Sequence, residues 1–413
     1  NWWPAKIAET AMFLVDHQAN KELANTVGRP PERLPIKITA HIHHGNALSF
    51  DWAKTLPTAA GETFIFGNPP FRGDAREREQ QDDLKRAWGK KTDKISRLDY
   101  VTGWHAKSLD FFENRNGRFA FVTTNSITQG DQVPRLFGPI FKAGWRIRFA
   151  HRTFVWDSEA PGKAAVHCVI VGFDRTYESR PKLWDYEQTK GDPIAVPVER
   201  VINAYLVEGP NILVRKAPRP ISAVVRTVVN GSKPADGGFF TVNKERYEEI
   251  MRDPVAAKYL RAYIGSRELL HNVKRWCLWL KDVAPGDVSK SKTIRETLEN
   301  VRQFRIDSKN PPTNRVASTP QKFFFDGSRD VPYLCIPSVV SESRPFFTAA
   351  RLSPEVISSN LVYTVEDEDG LQFSLLSSSM FITWQRTVGG GRLKSDLRFA
   401  NTLTWHTFPM PEI

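Results

Sequence analysis

Hydrophobic and polar positions in the first half of the chain follow two periods in turn. Residues 5–20 place apolar side chains at helical spacing with no internal glycine or proline, which predicts a helix. Short apolar runs rich in β-branched and aromatic residues predict strands. The predicted strands are 36–42, 63–67, 117–125, 147–150 and 164–173, and a further helix is predicted over 99–112. Strands that alternate with helices indicate an α/β sheet, in which ligands bind at the carboxyl ends of the strands.

The second half has a different pattern. From about residue 209 strands and helices no longer alternate regularly, and proline and arginine become frequent. Periodicity predicts helices over 244–263, 287–308 and 371–384 and a strand over 273–280. The change predicts two domains, residues 1–208 and residues 209–413.

The strand at 63–67 ends in Asn68-Pro69-Pro70-Phe71. Two consecutive prolines forbid both helix and ladder and hold the backbone rigid. The asparagine side chain and a proline carbonyl can accept hydrogen bonds from an exocyclic amino group, while Phe71 can stack on the base that carries it. The alternative is a buried strand followed by a simple Pro-Pro turn. Residues 72–97 are highly charged and predict a mobile loop beside this site and then a polar helix.

The chain of 413 residues carries a formal net charge of +12. Residues 209–413 hold 29 basic and 21 acidic side chains, against 29 and 25 in residues 1–208, so the second half is the more basic. A polyanionic partner is the natural inference, because each Lys or Arg placed on a phosphate releases counterions. The alternative is a basic surface without such a partner, since charge says nothing about specificity.

The three cysteines, Cys168, Cys277 and Cys335, are isolated among apolar residues and indicate neither a zinc site nor a disulfide framework. No stretch reaches the roughly 18 apolar residues that a membrane span needs. No signal peptide opens the chain. These features predict a cytoplasmic protein that binds neither metal nor membrane.

Several short segments follow one another in a recognisable order. They are Trp3 to Met12, Gly45-Asn46-Ala47-Leu48, Asn68-Pro69-Pro70-Phe71, Asp99-Tyr100-Val101-Thr102, Thr124-Asn125-Ser126, Tyr263 to Glu268, Lys274 to Trp279 and Gly391 to Asp396. In this order the chain resembles, over essentially its whole length, the γ-class N6-adenine DNA methyltransferases of the MmeI-like type II restriction-modification family. Singly, only Asn-Pro-Pro-Phe carries much information, but the order is strongly specific.

The resemblance implies a partial class I, Rossmann-like methyltransferase sheet followed by an α+β target recognition domain. It implies S-adenosylmethionine as methyl donor and a flipped-out adenine as acceptor. Asn68 and the Pro69 carbonyl, with Pro70 in the same rigid motif, would hold the N6 amino group, and catalysis would come from positioning and charge stabilisation. Phe71 would stack on one face of the base and Phe154, in preference to Trp156, on the other.

The same resemblance implies a pocket for the cofactor. Asn46 would bond the adenine amino group of S-adenosylmethionine, and Leu48 and the Phe71 backbone would line the pocket. For Asn46 the alternative is a helix cap or turn residue, and for Phe154 it is a core aromatic.

The sequence departs from the family in one respect. The family carries a glycine-rich cofactor loop and an acidic ribose-binding residue upstream of the segment that matches Trp3-Pro4. No GxG follows a strand in residues 1–150. We therefore expect a C-terminal part of a longer protein, without the nuclease and cofactor-loop segments, that alone binds S-adenosylmethionine weakly or not at all.

By the same resemblance, residues 209–413 would read double-stranded DNA. The helix predicted over 287–308 is the candidate for phosphate contacts. Its basic residues are Lys290, Lys292, Arg295, Arg302 and Arg305, and the further candidates are Lys274, Arg275, Arg392 and Lys394. Glu342 and Arg344 are candidates for base reading, because an acidic residue facing a polyanion fits best as an acceptor for a cytosine amino group.

Two other functions stay open. The chain can be a non-catalytic DNA-binding module, or its methyltransferase can act on RNA or protein, since Asn-Pro-Pro-Phe also occurs in enzymes that methylate glutamine amides. The large basic second half favours DNA.

Overall fold

The computed structural model describes residues 2–28, 41–56, 61–72, 77–156, 166–176, 179–390 and 396–410. Three predictions fall partly outside these ranges, namely the strand over 36–42, the start of the strand over 164–173 and the charged loop after Arg72. None of the helices in the described ranges is long and apolar enough to cross a membrane.

A six-stranded mixed sheet forms the framework of the first half. Its strands are β1 (Thr63–Gly67), β2 (Gly117–Thr124), β3 (Arg146–Trp156), β4 (Val166–Asp174), β5 (Lys182–Asp185) and β6 (Ile194–Val196). They lie in the order β1-β2-β4-β3-β5-β6. β1 is parallel to β2, and β4 is antiparallel to both β2 and β3. The predicted α/β class is confirmed, and β1, β2 and β3 all end at the same edge.

Helices cover one face of this sheet. They are α2 (Trp52–Thr55), α3 (Arg78–Trp88), α4 (Thr102–Phe111) and α5 (Val133–Lys142), preceded in the chain by α1 (Trp2–Val27). Side chains alternate along β2, so that Phe119 and Phe121 are buried and their neighbours are half-buried. Both rings contact His105 of α4, and Phe137 of α5 contacts Phe173 of β4. α1 extends beyond the predicted helix over 5–20 and buries none of its side chains.

The opposite face of the sheet is apolar and open in the described part of the chain. It holds a cavity of about 520 Å³ lined by aromatic side chains, among them Phe64, Phe66 and Trp184, with Arg118 and Arg148 at its border. Phe66 is 80% exposed. The described helices therefore cover a single face.

The second half contains short strands and helices that follow no regular alternation. The strands are β7 (Val229–Asn230), β8 (Thr241–Val242), β9 (Leu260–Ile264), β10 (Trp276–Leu278), β11 (Tyr333–Pro337), β12 (Val339–Val340), β13 (Ala350–Leu352), β14 (Ile357–Ser358), β15 (Val362–Glu366) and β16 (Leu397–Arg398). The helices are α6 (Lys244–Ile250), α7 (Pro254–Ala257), α8 (Ser266–His271), α9 (Pro285–Lys290), α10 (Lys292–Ile306), α11 (Pro311–Arg315), α12 (Leu371–Leu376) and α13 (Ser379–Val388). Two four-stranded sheets, β14-β9-β10-β8 and β13-β11-β15-β7, and the ribbon β12-β16 result. This confirms the predicted α+β fold.

Three predicted helices of the second half are wrong in their extent. The helix over 244–263 is instead α6, α7 and the strand β9. Asp253 precedes a proline, which disfavours helical backbone there, and its extended backbone and carboxylate cap α7. The strand predicted over 273–280 is confined to β10.

Serine caps divide the other two predicted helices. The helix over 287–308 is broken at Ser291, whose extended backbone lets its hydroxyl accept from the Ile294 N–H. The helix over 371–384 is divided at Ser378, which caps Phe381 in the same way and carries the helix on to Val388. Helical periodicity continued across both breaks, so the pattern did not separate the pieces.

Each half has its own main hydrophobic core, and a smaller cluster packs Tyr205 of the first half against Val214, Val388 and Leu403 of the second. One core runs from Leu48 to Leu206, and the larger cores of the second half lie between Val225 and Phe408. An ion pair between Asp131 and Lys216, at 3.2 Å, links the halves. The domain boundary between residues 208 and 209 stays a prediction. It is consistent with the main cores, which end at Leu206 and begin at Val225.

Candidate active site and DNA-reading face

Asn68-Pro69-Pro70-Phe71 begins directly after β1, at the edge where β2 and β3 also end. Pro69 is buried, and the half-buried Phe71 packs against the core of the first half. Asn68 and Pro70 are exposed. Neither the Asn68 side chain nor the Pro69 carbonyl receives a hydrogen bond from a described residue. With respect to the described residues, the loop thus holds an amide and a carbonyl that can still accept hydrogen bonds.

Phe154 lies on the same edge of the sheet. It pairs with Cys168 of β4, which in turn pairs with Thr124 at the end of β2. β3 is three strand spacings from β1, about 14 Å at the usual separation. The Phe154 ring is half-buried, with its centroid 5.0 Å from that of Tyr186. Phe71, just after β1, and Phe154, on β3, therefore lie at the same edge of the sheet, and β2 and β4 separate the two strands.

The thiol of Cys168 lies between these positions but is not suited to act as a nucleophile. It is fully buried, and burial raises its pKa to about 11. At neutral pH it is therefore protonated, whereas the thiolate is the reactive form of cysteine.

A buried carboxylate fixes the loop that follows β2. Asp99 is 6% exposed, and its Oδ2 accepts from the Thr124 hydroxyl at 2.9 Å and the Ser126 hydroxyl at 3.2 Å. Its backbone N–H donates to the side chain of Gln132 at 2.7 Å. Sequence reasoning gave Asp99 no role, although its segment was among the recognised motifs. Asp99 therefore links the start of α4 to the sheet edge.

Asn46 lies in a turn that packs on α3. Its Oδ1 accepts from the Leu48 N–H at 3.0 Å, and its Nδ2 donates to Asp83 at 2.7 Å. Asp83 is buried and also accepts from the Tyr100 hydroxyl at 2.9 Å. Burial and this hydrogen bond raise the pKa of Tyr100 to about 12. The exposed Asn46 retains a second lone pair on Oδ1, which can accept a further hydrogen bond. Its bond to the Leu48 N–H is also what the alternative role, a turn residue, requires.

Leu48 contributes differently from the expectation. Its side chain is 1% exposed and lies where a side chain on Gly103 would clash, so it fills the core. Only its backbone can line a ligand pocket. The resemblance implies that Leu48 lines the cofactor pocket, whereas its apolar side chain packs inside the core.

The basic candidates of the second half divide into exposed and engaged side chains. Lys274, Lys292 and Arg302 are exposed, and Lys292 pairs only loosely with Glu296 at 3.5 Å. Arg275 instead donates to Glu268 at 2.9 Å and lies over the Tyr263 ring, 4.7 Å from its centroid. The Arg275 guanidinium is thus already held within the domain.

Arg305 is wrong as a phosphate contact. It is fully buried and donates to five backbone carbonyls at 2.7 to 3.1 Å. Those carbonyls belong to Pro234, Ala235, Val316, Thr319 and Lys322. The side chain ties α10 to two surrounding loops, so it has a structural role.

Glu342 and Arg344 lie in a turn after β12 in which the Arg344 N–H donates to the Ser341 carbonyl at 3.2 Å. Glu342 borders a cleft of about 260 Å³ between the halves. The cleft is also lined by Asn125, Thr153 and His167 from the sheet edge and by Gln385, Arg386, Gly389 and Gly390 from the end of α13. The structure therefore brings the base-reading candidate to the edge that carries Asn68.

Arg392 and Lys394 lie outside the described residues. Within the described ranges no group of three or more His, Cys, Asp or Glu side chains is arranged to hold a metal ion. The mixed sheet with Asn-Pro-Pro-Phe after β1 is the arrangement that the sequence resemblance implies for a methyltransferase domain.

Comparison with known proteins gives the same two parts. Residues 1–185 match the family model "MmeI, DNA-methyltransferase domain", and residues 208–412 match "MmeI, target recognition domain". The chain is 34% identical over 415 residues to DNA methyltransferase A of Bacillus subtilis (strain 168), covering 98% of this chain and 46% of that protein.

The solved structure of the type IIL restriction-modification enzyme MmeI in complex with DNA is also similar. It matches with a TM-score of 0.77 and 38% identity, covering 100% of this chain and 55% of that one. The chain belongs to the MmeI family. It spans about half the length of these two relatives.

Proposed function

We propose that the protein containing this chain is a site-specific DNA adenine-N6 methyltransferase of a restriction-modification enzyme. The single observation that carries the proposal is the Asn68-Pro69-Pro70-Phe71 loop, with Asn68 exposed, at the carboxyl edge of a mixed sheet in a chain of the MmeI family. Double-stranded DNA is the proposed partner, and the basic second half suits it.

Asn68 and Pro69 would act on the acceptor nitrogen. Their carbonyl oxygens accept hydrogen bonds from the N6 amino group of adenine, which turns the nitrogen lone pair toward the incoming methyl group and stabilises the positive charge that develops on it. S-adenosylmethionine, when bound, supplies an activated methyl group on a sulfonium. The buried, protonated Cys168 fits this direct transfer, since no enzyme nucleophile is needed.

Phe71 and Phe154 would hold the base outside the duplex. Extrusion costs a few kcal/mol, and stacking on aromatic side chains contributes roughly 1–3 kcal/mol per base. Both residues lie at the sheet edge that also carries Asn68. Pro70 keeps the Phe71 backbone in place by its fixed φ angle.

The residues present fit the adenine end of S-adenosylmethionine. Asn46 is exposed, is oriented by Asp83 and retains one acceptor lone pair for an exocyclic amino group. The Leu48 and Phe71 backbones would complete this part of the pocket. The chain's own contribution to the cofactor is thus to orient the adenine.

In the second half we propose a division between positioning and reading. Lys274, Lys292 and Arg302 would contact phosphates, together with Arg392 and Lys394. Arg275 would contact a phosphate only if DNA displaced Glu268 from its guanidinium. Glu342 and Arg344 would read base edges from the turn that borders the cleft.

The test uses the full-length protein, S-adenosylmethionine with a labelled methyl group, and duplex DNA, single-stranded RNA and bulk protein as acceptors. Nucleoside analysis of the DNA should find the label as N6-methyladenine at one sequence. Label on RNA or on glutamine would contradict the proposal. DNA binding with no transfer to any acceptor would favour the alternative of a non-catalytic binding module.

A further inference from the structure

The turn that carries Glu342 and Arg344 is held from another element. Arg386, on α13, donates through Nη2 to the Glu342 carbonyl at 3.1 Å and to the Arg344 carbonyl at 3.0 Å. These two carbonyls flank Ser343. One guanidinium nitrogen thus holds the peptide plane that follows Glu342 and the one that follows Arg344.

The element that carries Arg386 is itself rigid. Phe381, Ile382 and Val388 of α13 are buried, and the Ser378 hydroxyl caps the helix through the Phe381 N–H at 3.1 Å. The neighbouring Gln385 donates to the Arg398 carbonyl at 2.8 Å. Arg398 belongs to β16, the strand that pairs with β12 just before the turn. Gln385 of α13 therefore holds β16, and the next residue, Arg386, holds the turn that follows the partner strand β12.

Within itself the turn is held only by neutral hydrogen bonds, including that from the Arg344 N–H to the Ser341 carbonyl at 3.2 Å. The hydroxyls of Ser341 and Ser343 are 3.0 Å apart, and the Ser343 N–H reaches the Ser341 hydroxyl at 3.4 Å. Ser341, Glu342 and Ser343 are exposed, and the following Pro345 fixes only its own φ. Hydrogen bonds from a charged donor are stronger than such neutral contacts. Arg386 is consequently the main external restraint on the turn that the described residues show.

We propose that Arg386 is a positioning residue for sequence discrimination: it sets the directions of the Glu342 and Arg344 side chains without reading a base itself. The inference rests on the proposed reading role of those two residues. A side chain that reads a base edge must be held within a fraction of an ångström by its surroundings, and a guanidinium bridging two carbonyls supplies that restraint.

The experiment measures methylation by the full-length protein over a duplex library randomised around its recognised sequence. Glu342→Ala with Arg344→Ala should relax discrimination at the base pairs that these residues read. Arg386→Ala should relax discrimination at the same base pairs by about tenfold or more, the size of one lost base contact. Arg386→Lys, which can still donate to both carbonyls, should restore most of it, and Arg386→Ala should add nothing in the doubly substituted background.

Thr383→Ala is the matched control, because Thr383 is exposed on α13 one turn earlier and bonds only within its own helix. Its library profile should equal that of the unmodified protein. A uniform loss over all sequences with a shallower salt dependence in Arg386→Ala would make Arg386 a phosphate contact and overturn the inference. An unchanged profile in Arg386→Ala would overturn it as well.

The two proposals fail separately. If the Glu342 and Arg344 double substitution leaves the profile unchanged, the proposed reading role is wrong and the inference falls with it. If that substitution relaxes discrimination and Arg386→Ala does not, only the inference is wrong.

Discussion

The hydroxyl of Thr124 donates a hydrogen bond to the carboxylate of Asp99 across 2.9 Å, joining the last residue of β2 to the start of α4. The carboxylate also accepts from Ser126 and is almost fully buried. One acidic residue therefore orders the segment that follows β2, next to the loop that begins with Asn68.

Replacing Asp99 should destabilise the first half. Asp99→Ala removes the acceptor that the two hydroxyls share and leaves them only each other, 2.8 Å apart, so we expect a loss of about 1–3 kcal/mol in unfolding free energy. Asp99→Asn keeps one oxygen acceptor and should lose less. Urea unfolding followed by tryptophan fluorescence measures both, and equal stability of the Ala variant and the unmodified protein would show that the contact contributes nothing.

His105 should make the first half sensitive to acid. It is fully buried, and burial lowers its pKa from 6.5 to about 4, an effect that the nearby Val101 carbonyl offsets only in part. Between these values the unfolded chain binds a proton and the folded chain does not, so stability falls as the pH falls from about 6.5 to about 4. The full difference is about 3 kcal/mol.

The matched comparison for this pH effect is His105→Leu, which fills the same apolar site without a titrating group. The difference in unfolding free energy between the two proteins should change across pH 4 to 6.5 and be constant above it. A difference that is flat over the whole range would mean that His105 is not held neutral by burial.

Arg305 and Arg302 lie one turn apart on α10 and should behave in opposite ways. Arg305→Ala leaves five carbonyls without their donor and should lower the unfolding free energy by more than about 3 kcal/mol. Arg302→Ala is at an exposed position and should change it by less than about 0.5 kcal/mol. In DNA binding, Arg302→Ala should weaken all sequences alike and reduce the salt slope by about one.

Thermal unfolding and fluorescence anisotropy at several salt concentrations separate these two roles. A stable Arg305→Ala protein with weakened DNA binding would mean that the buried guanidinium is not the structural element proposed. Unchanged salt dependence in Arg302→Ala would remove it from the phosphate contacts.

Phe154 should be needed to hold the extruded base. With 2-aminopurine at the target adenine, the unmodified protein should raise the fluorescence, and Phe154→Ala should remove most of that rise and lower kcat/KM by roughly 10- to 100-fold, the value of one stacking contact. Trp156→Ala is the control, since Trp156 lies two residues further along the same strand and is exposed. Loss in the Trp156 variant with a normal Phe154 variant would exchange their assignments.

The sequence predicted the framework well where local patterns decide it. β1 was predicted to the residue, and β2 to within one, because each apolar run is bounded by polar residues. The helix breaks at Asp253 and Ser291 were missed, although Asp253-Pro254 is itself a signal for a helix end. The spacing of apolar residues indicates which face of a helix is buried, but it does not indicate where a capping residue ends one helix and starts the next.

The polar contacts around the site could not be predicted from the pattern. Asn46 meets Asp83, Asp99 meets Thr124, and Arg386 meets the turn at Glu342, and in each case the partners are 25 to 44 residues apart. Such pairs depend on how packed elements are oriented. Arg305 shows the same limit, since its charge suggested an exposed face and its burial decides its role.

The central claim is that Asn68 holds the amino group that receives the methyl. Its most direct test is methyl transfer by the full-length protein carrying Asn68→Ala, with DNA affinity measured in parallel. We predict a fall in the rate of adenine methylation of at least about 100-fold, with unchanged DNA affinity and partial activity in Asn68→Asp, which keeps an acceptor oxygen. Adenine methylation by Asn68→Ala at a rate near that of the unmodified protein would contradict the claim.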